Sequence, residues 1–409
     1  MLAVEQFIRH FSVMWENSPS DFPEFKRSYT ITEQLERENR FESFQKDIKQ
    51  LQNKKNIRKF RNEPESKFFP MFKNFLETVF DFEPDQLAII LSDSFRNVSR
   101  DFFYKAREFG PELNPENIYQ GLRNVWIMNG IQLMLDLPIE ITPSVFAYSM
   151  IYPYSDNLLD DPDISSAEKQ AFSERFNRRL HGLDVEPHGH IEKQLFRLVE
   201  MFEFQYNRLE FPEVYESLYA IQQGQTRSLS LRKDKALPQN EILSICFEKG
   251  GASVLADGFL VAGKLTQEQQ QALFGYGVYL QLLDDIQDVK EDSETNTNTM
   301  FSCKENGSLE FFVNKTIHFG RTALEEMKCF NLESTDTFLS LMKRSVEMMA
   351  IESIGLNEQW YSPEYLGKMD KISPLRFEFV RQKKSESKSQ RFVLFQKYFD
   401  KVPTKEVQL

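Results

Sequence analysis

From about Phe72 onward, apolar residues recur at i, i+3 and i+4, and no convincing stretch alternates apolar and polar side chains with period two. That spacing gathers apolar side chains on one stripe of an α-helix, whereas a half-buried strand needs alternation. A chain patterned this way over most of its length buries its apolar surface by packing helix on helix. Proline falls where such helices would begin. Pro84, Pro115, Pro143 and Pro212 each suit a first-turn position, where a missing N–H costs nothing. Thr142 is a candidate N-cap, Thr266 with Gln269 reads as a capping box opening a helix through Asp292, and Ser308 and Ser334 mark further starts. Only 16 Gly and 17 Pro occur in 409 residues, which favours long, uninterrupted helices. The expectation is an all-α fold of about ten helices in one bundle-like domain.

Hydrophobic residues make up 41% and charged residues 27%, the balance of a globular chain rather than a disordered one. The formal charge of −12 argues against a nucleic-acid partner, which would need a basic face. It does not exclude a small anion, because a bound metal ion reverses the local sign. Phe, at 38 copies, suits a bulky core and equally the lining of an apolar cavity. Cys246, Cys303 and Cys329 are widely spaced and odd in number, which points to a reducing compartment without structural disulfides or a thiolate zinc site. The opening MLAVEQFIRHFSVMWENS has no basic stretch leading into an apolar run, and no run reaches transmembrane length. The expectation is a cytoplasmic protein without a transmembrane segment, and the chain is compatible with a homodimer. Glu33 to Arg61 is dense in Lys, Arg, Glu and Gln and reads as a solvated helix or a partly ordered extension. Arg381 to Lys401 is basic with Phe and Tyr interleaved. A plain C-terminal helix is the favoured reading there, and weak peripheral membrane contact the other. His188-Gly189-His190 has no further His or Cys nearby and reads as loop chemistry.

Two acidic clusters carry the functional argument. The first is Asp156-Asn157-Leu158-Leu159-Asp160-Asp161, near the end of the helix that starts at Thr142. Asp156 and Asp160 share a helical face, and Asp161 lies to the flank. The second is Asp284-Asp285-Ile286-Gln287-Asp288-Val289-Lys290-Glu291-Asp292, in which Asp284, Asp288 and Asp292 form a stripe at i, i+4 and i+8. It follows the apolar and aromatic run FGYGVYLQLL (Phe274 to Leu283). Like charges at i, i+4 destabilise a helix by a few tenths of a kcal/mol unless something neutralises them. A single acidic run on a helix is ordinarily a solvated face. Two such runs, each ending an apolar helix, suit the mouth of a cavity. Magnesium prefers oxygen ligands and completes its shell with waters and substrate phosphates, so facing carboxylates would hold a cluster of Mg²⁺ ions that a diphosphate bridges.

With these motifs the sequence resembles the class I isoprenoid synthases, a family covering terpene cyclases, squalene and phytoene synthases and chain-elongating prenyltransferases. YLQLLDDIQDVKED (Tyr279 to Asp292) looks like the second aspartate-rich motif and DNLLDD (Asp156 to Asp161) like the first. EKGGASVLADGFLVAG (Glu248 to Gly263) resembles a helix of bacterial large-terpene synthases. There Gly250-Gly251 would either kink the helix or permit close packing. The resemblance spans residues 75–380, taken as the helical catalytic domain, with an N-terminal helical extension at 1–74 and a basic tail at 381–409. It implies a helical bundle around a cavity and a prenyl diphosphate substrate. Its metal ligands would be Asp156, Asp160, Asp284 and Asp288, with Asp161, Asp285 and Asp292 as further candidates. It also implies cations for the diphosphate, for which Arg227, Lys249, Lys290 and Arg376 are the candidates, whereas Arg178-Arg179 reads as a surface pair. Phe377 stands where terpene cyclases often carry a tyrosine after such an arginine. The leading expectation is a magnesium-dependent terpene synthase, a lyase that ionises and cyclises or rearranges a linear prenyl diphosphate. The alternatives are a transferase joining two prenyl units and a catalytically silent prenyl-diphosphate-binding protein.

Overall fold

The computed structural model describes residues 2–51, 64–159, 164–232, 237–302, 309–330 and 335–387. Among these residues every regular element is helical, as the spacing requires. The N-terminal part comprises α1 (Val4–Asn17), α2 (Ile31–Leu51), α3 (Pro64–Phe80) and α4 (Pro84–Ile90). The central part comprises α5 (Asp93–Phe109), α6 (Pro115–Met134), α7 (Pro143–Leu159), α8 (Ser166–Leu180), α9 (Gly189–Gln205) and α10 (Pro212–Ser228). Then follow α11 (Gln239–Ala262), α12 (Gln267–Gln287), the short α13 (Val289–Glu294), α14 (Leu309–Glu326), α15 (Thr335–Leu356), α16 (Pro363–Asp370) and α17 (Phe377–Ser387).

The start signals work as local chemistry dictates. The Asn117 N–H donates to the Asn114 side chain ahead of α6, and the Val145 N–H donates to Thr142 Oγ1 ahead of α7. Thr266 and Gln269 form the reciprocal capping box of α12. Ser308 and Ser334 lie outside the described residues. The helix expected to run through Asp292 has a joint at Asp288, whose φ of −95° and ψ of 10° leave the helical region. The joint is narrow: the Asp288 N–H still donates to the Asp284 carbonyl and the Asp292 N–H to the Asp288 carbonyl, both at 2.9 Å.

Helices α11 and α12 are joined by a short turn closed at Gly263, whose φ of +73° favours glycine. They pack antiparallel at very short range. A Cβ on Gly277 would lie 2.2 Å from the Gly250 carbonyl oxygen, and one on Gly251 would strike the Phe274 ring. Helix α11 runs unbroken through Gly250-Gly251, so of the two readings of this pair the structure takes close packing. Helix α1 seats Phe7, Phe11 and Trp15 in the main core against Phe274, Phe247 and Phe319, with ring centroids 5.5–6.4 Å apart. Phe11 occupies the niche that Gly275 leaves on α12.

The described part of the polar stretch from Glu33 is docked rather than solvated. Glu38 is buried and takes a bidentate ion pair from Arg376 at 2.7–2.9 Å. The Gln34 amide donates to the carbonyls of Asp370 and Ser373. A small second core gathers Val79, Leu375 and Phe379 with Phe41, Phe75 and Phe80 between α2, α3 and α17. The polarity of α2 hides its docking from a hydropathy reading, because Gln34 and Glu38 are buried as a bonded amide and a paired charge. Gly277→Ala should destabilise the fold by about 1–3 kcal/mol, because the new methyl meets backbone rather than a side chain that can swing away. Thermal melting of the variant checks this, and an unchanged Tm would refute the packing argument.

Candidate active site

The helices enclose a cavity of about 1300 Å³. Its wall is made of stripes on neighbouring helices. On α11 the stripe is Cys246, Lys249, Gly250, Ser253, Val254 and Asp257, the i, i+3, i+4 face of a helix. On α12 it runs from Tyr276 through Gln281 to Asp284 and Asp285, and continues past the joint to Asp288, Glu291 and Asp292. Because the two helices are antiparallel, the carboxylates lie beside Cys246 and Lys249, and Tyr276 lies near Asp257. Helix α7 adds Tyr148, Ile151, Tyr152 and Ser155. The Tyr152 hydroxyl meets Ser253 Oγ at 2.7 Å, and Tyr148 donates to the Ser253 carbonyl at 3.3 Å. The chain of α7 therefore advances toward the carboxylate end of the cavity, where its last turn carries Asp156. Asp160 and Asp161 lie outside the described residues. Elsewhere the wall mixes apolar side chains, among them Phe82, Ile131, Met134, Phe338, Leu341 and Val346, with polar ones such as Asn124, Gln222 and Gln225.

The acidic row is under electrostatic tension. Asp285 is buried, receives the Gln281 amide at 2.8 Å and the Cys246 thiol at 3.4 Å. Burial is the main reason its carboxyl is raised to about 6, with the Gln281 bond and the Lys249 charge pulling the other way. Asp292 is raised to about 7, by burial first and then by the negative charges of Asp285, Asp288 and Asp284. Asp288 is raised by burial and Asp284, and eased by Gln287 and Arg123. Burial likewise pushes the Cys246 thiol well above its ordinary value, so it serves as a donor and not as a thiolate.

Among the described residues no three His, Cys, Asp or Glu side chains converge closely enough to form a ready-made metal cage. Magnesium rarely uses one, since one or two carboxylates, waters and substrate phosphates complete its shell. A row of hard oxygen donors that raise one another's proton affinity, with few cations to relieve them, fits such an ion.

The candidate cations separate. Lys249 lines the cavity and acts electrostatically on Asp285 and Asp292. Arg227 is held by the buried carboxylate of Glu248, while its neighbours Thr226 and Ser228 line the wall. Lys290 is largely exposed and pairs with Glu294 at 3.9 Å. Arg376 is committed to Glu38 in the second core. Arg179 pairs with Glu203, and His190 meets Glu112 at 2.9 Å, which also takes the Tyr154 hydroxyl. Cys246 and Cys329 are free thiols, and Cys303 lies outside the described residues. Arg123, Glu291 and Asp257 also line the cavity and were not singled out in the sequence. Glu291 was legible as one turn beyond Gln287. Arg123 and Asp257 stand alone in their helices and carry no pattern.

No family model matches the sequence, and no curated protein matches it. Among solved structures, the chain is similar to the geranylgeranyl pyrophosphate synthetase from the archaeon Geoglobus acetivorans. That likeness has a TM-score of 0.35 and 13% sequence identity, and covers 62% of this chain and 98% of that one. No helix among the described residues is long and apolar enough to cross a membrane.

The raised carboxyls have a consequence for stability. The unfolded chain releases these protons near pH 4, and the folded chain holds them to about pH 6 or 7. Stability therefore falls as pH rises through that window, and the full cost is present above it. Asp292→Asn should melt a few degrees higher than the parent in metal-free buffer at about pH 7.5, and the two should converge at about pH 4. Calorimetry at both values checks this. An equal drop in Tm with pH for both proteins would contradict it.

Proposed function

We propose that this protein binds a linear prenyl diphosphate with its diphosphate at the acidic end of the cavity, ionises it, and cyclises or rearranges the cation in the apolar part. The observation that carries this is the position of the Asp284, Asp288 and Asp292 row on the wall of a deep, aromatic and aliphatic cavity, at the end toward which α7 brings Asp156. A diphosphate would otherwise be repelled by that row. Magnesium, when bound, supplies the positive charge that joins carboxylates to diphosphate and offsets the charge of the leaving group. Asp284, Asp288 and Asp292 would hold it, with Asp156, Asp160 and Asp161 as the further candidates that the sequence offers. Gln281 and Cys246 fix the Asp285 carboxyl in place. Lys249 offers the diphosphate a direct cation from α11, with Arg123 as a second and Arg227 set behind, on Glu248. The apolar wall excludes water from the hydrocarbon chain, and the faces of Tyr148, Tyr276 and Phe338 offer π density to a cation, at about 0.5–2 kcal/mol each.

Incubation with geranyl, farnesyl, geranylgeranyl and longer diphosphates plus Mg²⁺ tests the reading. The expected result is diphosphate release with a cyclic or rearranged hydrocarbon of unchanged carbon number. A product of doubled carbon number would select the prenyl-joining reaction instead. Binding without release from any substrate would leave a silent binding protein. Asp284→Asn and Asp288→Asn should each lower kcat/KM at least about 100-fold, the loss of a few kcal/mol of charge stabilisation. Activity within about threefold of the parent in both would remove the acidic row from the reaction.

A further inference from the structure

Asp257 sits in the middle of the apolar segment VLADGFL of α11 and is fully buried. It belongs to the α11 stripe that lines the cavity. It lies two turns beyond Lys249, roughly 12 Å along the helix axis and so remote from the diphosphate end. Nothing in the proposed ionisation uses it. Its Oδ1 accepts the Asn124 amide at 3.0 Å, and Asn124 also donates to Ser149 Oγ at 3.3 Å. Its Oδ2 has no hydrogen-bond partner among the described residues. The neighbouring hydroxyls differ in this respect, since Tyr148 and Tyr152 are both engaged by Ser253.

Burial holds the Asp257 carboxyl well above the ordinary carboxylate range, opposed only by the Asn124 bond. Burial therefore favours the neutral acid over the carboxylate. Oδ1 acts as the carbonyl acceptor, which assigns the proton to Oδ2, the oxygen without a partner. The phenols of Tyr148 and Tyr276 are pushed up as well, both chiefly by burial, and do not compete as acids. A buried hydroxyl left unpaired costs stability, and an apolar side chain here would avoid that cost. Asp257 belongs to the cavity lining, so the acceptor that a bound polyene would bring to this hydroxyl is a carbon–carbon π bond.

We propose that Asp257 is a proton-transfer residue of the cavity, acting on a double bond of the bound polyene well away from the diphosphate. This rests on the reading of the cavity as a prenyl site. In the first step the Oδ2–H bond breaks, a C–H bond forms from the π electrons, and the neighbouring carbon becomes cationic. The carboxylate left behind is stabilised by the Asn124 N–H and by the cation itself. In the second step that carboxylate removes a proton from a carbon next to the cation, the C–H electrons form the new double bond, and Oδ2–H is restored. The residue is unchanged over the cycle and the double bond has moved or a ring has closed, with no oxidant or co-reactant consumed.

The test is deuterium uptake from solvent. The wild-type protein is incubated in D₂O with geranylgeranyl diphosphate and Mg²⁺, and in parallel with squalene alone, which needs neither metal nor diphosphate site. Diphosphate release is measured separately from the deuterium content of the recovered hydrocarbon. The expected result is solvent deuterium in the hydrocarbon with wild type, and at least about tenfold less deuterium per molecule of hydrocarbon with Asp257→Asn, a ratio that does not depend on turnover. Circular dichroism establishes that the variant is folded. If it is not, Asn124→Leu, which removes the donor to the carboxylate, should lower the same ratio. Release without deuterium in wild type would overturn the role of Asp257 and leave the ionisation standing. Deuterium in squalene without release would overturn the ionisation and support the acid. No deuterium from either substrate overturns the role of Asp257, as does undiminished uptake by the folded variant.

Discussion

The contact on which the rest depends is the close approach of α11 and α12 through Gly250, Gly251 and Gly277. Without a Cβ at these positions the two backbones come within van der Waals range of each other. That fixes the register of two stripes that face the same cavity. Lys249 and Cys246 meet the carboxylate end of α12, and Asp257 meets Tyr276. A shift of one helical turn would set Lys249 beside apolar wall and leave Asp285 without its thiol donor. Packing of three glycines thus decides which charges see each other.

The fold tolerates at its acidic end an arrangement that lowers its own stability. Burial raises the carboxyls of Asp285, Asp288 and Asp292, and the negative charge of Asp284 adds to each. Sites of this kind are stable only when the surrounding structure over-determines them. Here that surrounding structure is the aromatic packing of α1 on the back of α12 and the hydrogen bonds from Gln281 and Cys246. The opposite solution holds Glu38 and Glu248, which are buried and each paired with an arginine. Among the described residues the buried carboxylates therefore divide into glutamates ion-paired with an arginine and the unpaired Asp257 and Asp285, and the latter line the cavity.

Local rules carried the helices. Proline at first turns, the Thr266 capping box and the apolar spacing before Asp284 all depend on neighbours within a turn or two, so they are visible in the chain. The Asp284 to Asp292 stripe was legible for the same reason, and the joint at Asp288 leaves its rungs intact. The docking of α2 was not legible, because its buried groups are a glutamate and a glutamine whose partners lie over 330 residues away. The same holds for the cations: Arg376 and Lys249 look alike in sequence, and only tertiary closure gives one a glutamate and the other a cavity. Asp257 gave no sign because a lone carboxyl in an apolar helix has no period to break. For the first acidic run the sequence still says more than the structure, since Asp160 and Asp161 lie outside the described residues.

The seating of Phe11 in the Gly275 niche has a kinetic side. Helix α1 packs on a helix made some 260 residues later, and Glu38 waits longer still for Arg376. Contacts so distant in sequence are slow to form, because the intervening chain must be closed before they reward the closure. Helix α1 and the Glu38–Arg376 pair thus act as late fasteners on a body built around α11 and α12. Until α12 emerges, Phe7, Phe11 and Trp15 are an uncovered apolar stripe that needs shelter from aggregation while the ribosome is at work.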